Sequence, residues 1–168
     1  MYRVANLGTN QQFFWDDMYV NTGATFLGDV RVETLYPNVD SSTYAQWSFS
    51  TGSTGYTLID ETTPNDDTDY IKTDVAGYYS TFGTTDLSST TAAVKAVQTN
   101  IYARKTTGGT RTLRPIMLQS GTTKEGATTG GLSTSYSTYS EIFETDPIGS
   151  TWTATNVNAD EFGVKVQS

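Results

Sequence analysis

Carboxylates, hydroxyls and tyrosines are the chemically able groups in this sequence, and their spacing limits what they can do. The densest acidic run is Asp60-Glu61-Thr62-Thr63-Pro64-Asn65-Asp66-Asp67-Thr68-Asp69-Tyr70. Clustered oxygens on a loop suit Ca²⁺, a hard cation that takes about six to eight of them. Asp66, Asp67 and Asp69 with the Asn65 amide would supply several. The spacing departs from the EF-hand loop, which wants Gly at the sixth position and Glu at the twelfth. The same residue types also build an Asx-type turn, in which side chains bond their own backbone. An ordered turn with carboxylates on backbone N–H groups is the expectation, with calcium as the alternative and sole cofactor candidate.

Paired carboxylates are the remaining route to catalysis. Glu141 and Glu144, in EIFETD, are the obvious pair. Along a strand, positions i and i+3 point to opposite faces. They cannot then flank one glycosidic bond at the roughly 5–5.5 Å or 6.5–9.5 Å that retention or inversion needs. Asp16 and Asp17 fail for the same reason. The chain has no His and no Cys. That removes Ser-His-Asp triads, His-ligated zinc, thiol nucleophiles and disulfides. The expectation is a protein that is not an enzyme.

The aromatic residues, 11 Tyr, 7 Phe and 3 Trp, fill β cores or stack on sugar rings. Trp47 and Trp152 sit beside apolar alternation and read as core. Trp15, in FFWDDMYV, faces opposite to Phe14 and Asp16 and reads the same way. Tyr78, Tyr79, Tyr136 and Tyr139 are the candidates for an exposed or intersubunit patch.

These groups have to be positioned by strands. Hydrophobic residues make up 36 % of the 168 and charged residues 17 %, both below the globular average. Thr alone supplies roughly a fifth. Thr, Val and Tyr fit a pleated, half-buried surface, and Gly supplies turns. Short β-like runs occur at 2–7, 13–20, 30–36, 45–49, 56–59, 70–72 and 78–82. In the run 30–36, Val30, Val32, Thr34 and Tyr36 share a face, and Pro37-Asn38 stops it. Residues 92–105 read as one long strand, turned at Gly108-Gly109 into a partner at 111–119. Pro115 in that partner predicts an edge or a bulge.

Residues 122–140, rich in Gly, Ser and Thr, read as a loop feeding a strand at 136–145, with Asp146-Pro147 starting the next turn. A helical turn is predicted at 155–161, after which Phe162, Val164 and Val166 share one face of a closing strand. About ten short strands at near-regular spacing predict one all-β domain, an antiparallel β-sandwich or jelly roll with that single helical turn.

The net charge of −8 opposes phosphate backbones and anionic bilayers, so no nucleic acid and no membrane is expected as partner. No apolar signal segment is visible at the N-terminus, and no window matches a membrane-spanning helix.

With FLGDVRVETLYP, TPNDDTDYI, VKAVQTNIYARKTTGGTRTLRPIM, EIFETDP and TWTATNVNADEFGVKV in this order, the sequence resembles a family of tailed-bacteriophage virion proteins with a concanavalin-like jelly-roll fold. The segments that carry the resemblance are 28–32, 64–70 and 152–164, and it extends over residues 12–168. It implies a non-enzymatic virion structural protein, foremost a decoration (cement) protein on the capsid exterior. The implied partners are the major capsid protein or other virion proteins, and copies of itself, with a trimer as the expected homo-oligomer. A tail-fibre or head-fibre module that binds host-surface glycans is the alternative, and a glycoside hydrolase of the same fold the third reading.

Longer members carry additional strands ahead of the Gly-Asp-Val-Arg segment, which here begins after 27 residues. The expectation is an open sheet edge covered by another subunit. Residues 1–20, centred on Phe13, Phe14 and Trp15, are the expected attachment segment, with Tyr78 and Tyr79 as further contact candidates.

Overall fold

The alternation seen in the sequence places strands in two layers. The structure is a computed structural model that describes residues 30–90 and 93–168. Phe13, Phe14, Trp15 and the runs at 2–7 and 13–20 lie outside the described residues. The chain divides into two compact units, Met1–Thr34 and Leu35–Ser168, and the architecture below is that of the second.

Five antiparallel strands form the larger sheet in the order β1 (Pro37–Ala45), β4 (Tyr79–Thr84), β9 (Glu161–Val166), β6 (Leu113–Gln119), β7 (Thr122–Glu125). A ribbon of β5 (Val97–Ala103) and β8 (Ser137–Phe143) pairs in unbroken register from Val97↔Phe143 to Ala103↔Ser137. A small ribbon joins β2 (Ser48–Phe49) to β3 (Ile71–Lys72). The protein is all-β and antiparallel, with one short α-helix among the described residues, α1 (Ala154–Ala159).

The core lies between the sheet and the β5–β8 ribbon. On β9, Phe162, Val164 and Val166 face inward as predicted, and Val164 and Val166 are buried with Leu113 and Leu132. Ile101, Ala103 and Tyr139 of the ribbon close over that cluster. A second cluster joins Met117, Phe143, Trp152 and Val157, with the Trp152 indole N–H donating to the Phe143 carbonyl at 2.8 Å. That bond satisfies the one polar atom of the largest buried side chain. Gly163 stands opposite Thr81 in the β4–β9 pairing. A Cβ there would collide with the Ser80 carbonyl oxygen, so position 163 accepts no side chain.

Several local expectations give way to tertiary demands. Residues 30–36 are irregular, with Val32 74 % exposed, and β1 starts at the proline expected to stop it. The Pro37–Val39 end of β1 pairs with Gly83 and Thr84 of β4 through an irregular register, which suits a proline at a sheet edge. Residues 56–58 form a 3₁₀ turn and not a strand. Asp40 of β1 dictates this by accepting from the N–H groups of Gly55 and Tyr56 at 2.7 and 2.6 Å.

β5 begins at Val97 and does not pair with β6. Gly109 does turn the chain, at φ +86, but between layers. β5 alternates between half-buried and exposed, whereas Leu113, Pro115, Ile116, Met117 and Gln119 of β6 are all buried. A strand buried on both faces takes the interior place. Pro115 therefore sits in an inner strand, and neither at an edge nor in a bulge. The β6–β7 pairing starts only at Ile116, and the Pro115 carbonyl accepts from Gly126 N–H at 2.8 Å. A residue's N and O share one edge of a strand, so the missing donor falls beyond the end of β7.

Within 122–140, β7 is a strand that the loop reading missed. Ser120 and Gly121, both at positive φ (48 and 83), form the two-residue turn that pairs Gln119 with Thr122. The helix is close to expectation: Thr153 caps α1 by accepting from Asn156 N–H.

Candidate functional site

The acidic loop reaches the outward face of the β5–β8 ribbon. Thr68 N–H bonds the Asn65 carbonyl at 3.2 Å, closing a turn with Asp66 in the left-handed region at φ 57. Asp tolerates that conformation better than most side chains. The turn is present as predicted, but its carboxylates bond side chains and not the backbone, those of Asp66 and Asp67 reaching residues distant in sequence. Asp66 Oδ1 accepts from the Tyr102 hydroxyl at 2.9 Å. Asp67 Oδ1 accepts from Arg104 Nη2 at 2.7 Å and from the Tyr136 hydroxyl at 2.9 Å. Asp69 turns back to the Asn65 amide at 2.6 Å. The three calcium candidates thus point to three sets of partners. Among the described residues no three His, Cys, Asp or Glu side chains come together as a metal site would require.

Register explains why these partners meet. Gln98, Asn100 and Tyr102 are the exposed residues of β5, and Arg104 continues their face. Ala103 pairs with Ser137, so Tyr136 enters β8 directly across from Arg104. The Tyr102 and Tyr136 rings stack at 5.0 Å between centroids and 10° between planes. The Arg104 guanidinium lies over the Tyr136 ring at 5.2 Å. Together with Thr134 and Ser135 these residues line an open cleft of about 490 Å³.

The electrostatics follow from the partners. Hydrogen bonds from Arg104, then Tyr136, hold the Asp67 carboxyl below its ordinary range. The bond to Asp67 raises Arg104 further. The Tyr102 phenol is raised by its bond to Asp66, and that of Tyr136 by burial and then by Asp67. The cleft therefore presents phenols held neutral, hydroxyls, the Asp66 carboxylate, and one cation paired with the Asp67 carboxylate.

The other sequence candidates are dispersed. Tyr78 is 40 % exposed, while Tyr79 packs its ring on Tyr44 at 4.8 Å. Tyr139 belongs to the core side of the ribbon. Glu141 directs both oxygens at the N–H of Ala127, at 2.9 and 2.7 Å, and Glu144 is exposed just beyond β8. Tyr102 and Arg104 had no local signal as site residues, because their partners Asp66 and Asp67 lie 36 and 37 positions away.

A second polar cluster, centred on the buried Asp146 and Asp160, lies where α1 meets the 145–151 turn. Burial pushes the Asp146 carboxyl up, but bonds from Ser150 N–H, Gln119 and Asn156 outweigh it and hold the group low. Asp160, 3 % exposed, leaves Oδ2 without a partner. Burial, and then the Asp146 charge, raise it to about 7.

Comparison of the chain with protein-family models, with curated proteins and with solved structures finds no match.

Proposed function

We propose that this chain is a non-enzymatic virion structural protein that works by contact, as a decoration protein on the outside of a phage capsid. The resemblance carried by residues 28–32, 64–70 and 152–164 supports the virion setting. The structural observation that carries the contact role is the state of the sheet edges. Among the described residues, β1 and β7 end the five-stranded sheet, each with a strand on one side only. Such edges present unpaired N–H and C=O groups, and proteins cover them. A second copy of the chain, or the major capsid protein, provides that cover, and a closed homo-oligomer, a trimer in the proposed form, follows from self-pairing.

Immunogold labelling of intact particles with an antibody against the chain tests this reading. Gold distributed over the head is the expected result. Gold confined to tail tips or fibres moves the protein to the fibre reading, and particles without gold overturn both. The fibre reading has its own support in the tyrosine-lined cleft.

A further inference from the structure

The outward face of the β5–β8 ribbon has a composition that the two-layer fold does not require. A solvent face of an antiparallel ribbon needs polar residues only. This one instead carries Tyr102, 41 % exposed, and Ile142, 62 % exposed, in a field of amides and hydroxyls. Tyr136 stacks on one side of the Tyr102 ring, and Tyr102 stays 41 % exposed where it lines the cleft. Asn100 Oδ1 accepts from Gln98 Nε2 at 2.8 Å and from Ser140 Oγ at 2.7 Å. The amide oxygen is thereby held by neighbours on both strands of the ribbon.

We infer that this face is a binding surface for neutral saccharide chains of hexose or N-acetylhexosamine units, with Tyr102 as the stacking platform. A pyranose ring has an apolar face of C–H groups and a rim of hydroxyls. It therefore matches an aromatic plate ringed by pre-oriented polar groups. The polar groups here are held before any ligand arrives, Asp66 and Asp67 by tyrosine and arginine, Asn100 by its neighbours. Preorganisation of this kind lowers the ordering cost of binding.

The ribbon strand of seven residues spans about 20 Å, enough for several rings and not just one. Charge selects the class. Arg104 is already paired with Asp67, Asp66 adds a second carboxylate, and the chain carries −8. A sialylated, uronic or phosphorylated chain meets repulsion, and among the described residues lining the cleft the one cation is already engaged by Asp67.

The inference does not depend on where the chain sits in a virion, so its test stands apart from the labelling experiment. Saturation-transfer NMR on the full chain, with neutral tetrasaccharides of glucose, galactose and N-acetylglucosamine and a sialylated tetrasaccharide, reads binding directly. Transfer to the ring C–H protons of at least one neutral chain is expected, and none to the sialylated one. Tyr102→Ala should weaken that binding about tenfold or more with an unchanged melting temperature. Tyr78→Ala, an exposed tyrosine away from the ribbon, should leave it intact. Should Tyr102→Ala unfold the protein, Asn100→Ala must show the loss in a folded chain. No transfer from any neutral tetrasaccharide, transfer unaffected by these variants, or a preference for the sialylated chain overturns the inference. So does Tyr102→Ala detaching the protein from its particle without any saccharide bound, which would make the face a protein contact.

Discussion

Two polar clusters in this molecule are built around aspartates to opposite ends. On the ribbon, Asp67 is satisfied by the Arg104 guanidinium and the Tyr136 phenol, all within reach of water. Under α1, Asp146 is satisfied by neutral donors alone, from Gln119, Ser150 and Asn156, while Asp160 beside it keeps a bare, buried oxygen. Exposed ion pairs contribute little to stability because water competes for both partners. Enclosed groups have no such substitute, so each unmade bond counts in full. The ribbon cluster is therefore free to exchange partners with a ligand, and the α1 corner is committed to holding the fold.

The largest expected difference between the two regions is in packing. Trp152 is 2 % exposed and sits with Met117, Phe143 and Val157. Trp152→Ala should lower the unfolding free energy by about 3–5 kcal/mol in urea denaturation. Tyr102→Ala on the ribbon should leave the urea midpoint in place. Comparable losses from the two variants would erase the distinction between the regions.

Asp160 sharpens the contrast through pH. Its folded carboxyl titrates at about 7, well above the ordinary unfolded value, so the folded state holds the proton more tightly. Stability from this group is complete below the unfolded pKa, falls as pH rises toward the folded value, and stays low beyond it. Asp160→Asn should remove that falling limb. The gain is on the order of 4 kcal/mol at pH 8 and close to nothing in acid, measured by urea unfolding across the range. A limb that persists in the variant would place its origin elsewhere.

Asp67 has the opposite sign and the smallest effect. Its folded pKa is depressed by Arg104 and Tyr136, so its contribution is present above the ordinary carboxylate range. That contribution is lost as pH falls through the depressed value. Arg104→Gln should bring the Asp67 carboxyl back up toward the ordinary range, followed by carboxyl-carbon NMR, with no loss of fold. An unmoved titration would mean that Arg104 is not its governing partner.

What the sequence revealed divides along similar lines. Alternation exposed the inward face of β9 and the β8 run, and cap chemistry exposed α1, because those signals are local. Asp66, Asp67 and Tyr136 stood out as an acidic loop and a spaced tyrosine. Their convergence with Tyr102 and Arg104 did not, since it depends on β5 pairing with β8 and not with the adjacent β6. β7 was hidden because Thr-Thr-Lys-Glu has no apolar alternation, and only the Ser120-Gly121 turn marked it. The α1 corner was invisible for the same reason as the cleft. Asp146 was legible as the start of the turn it makes with Gly149 and Ser150, but its meeting with Asp160 depends on tertiary packing.

The measurement that bears most directly on the account is a reconstruction of the particle that carries this protein, detailed enough to orient the chain. Copies are expected on the head exterior, associated with one another or with the shell, and with the ribbon face of Tyr102 and Tyr136 turned to solvent. Absence from the head exterior, or a ribbon face packed against the shell, would contradict it.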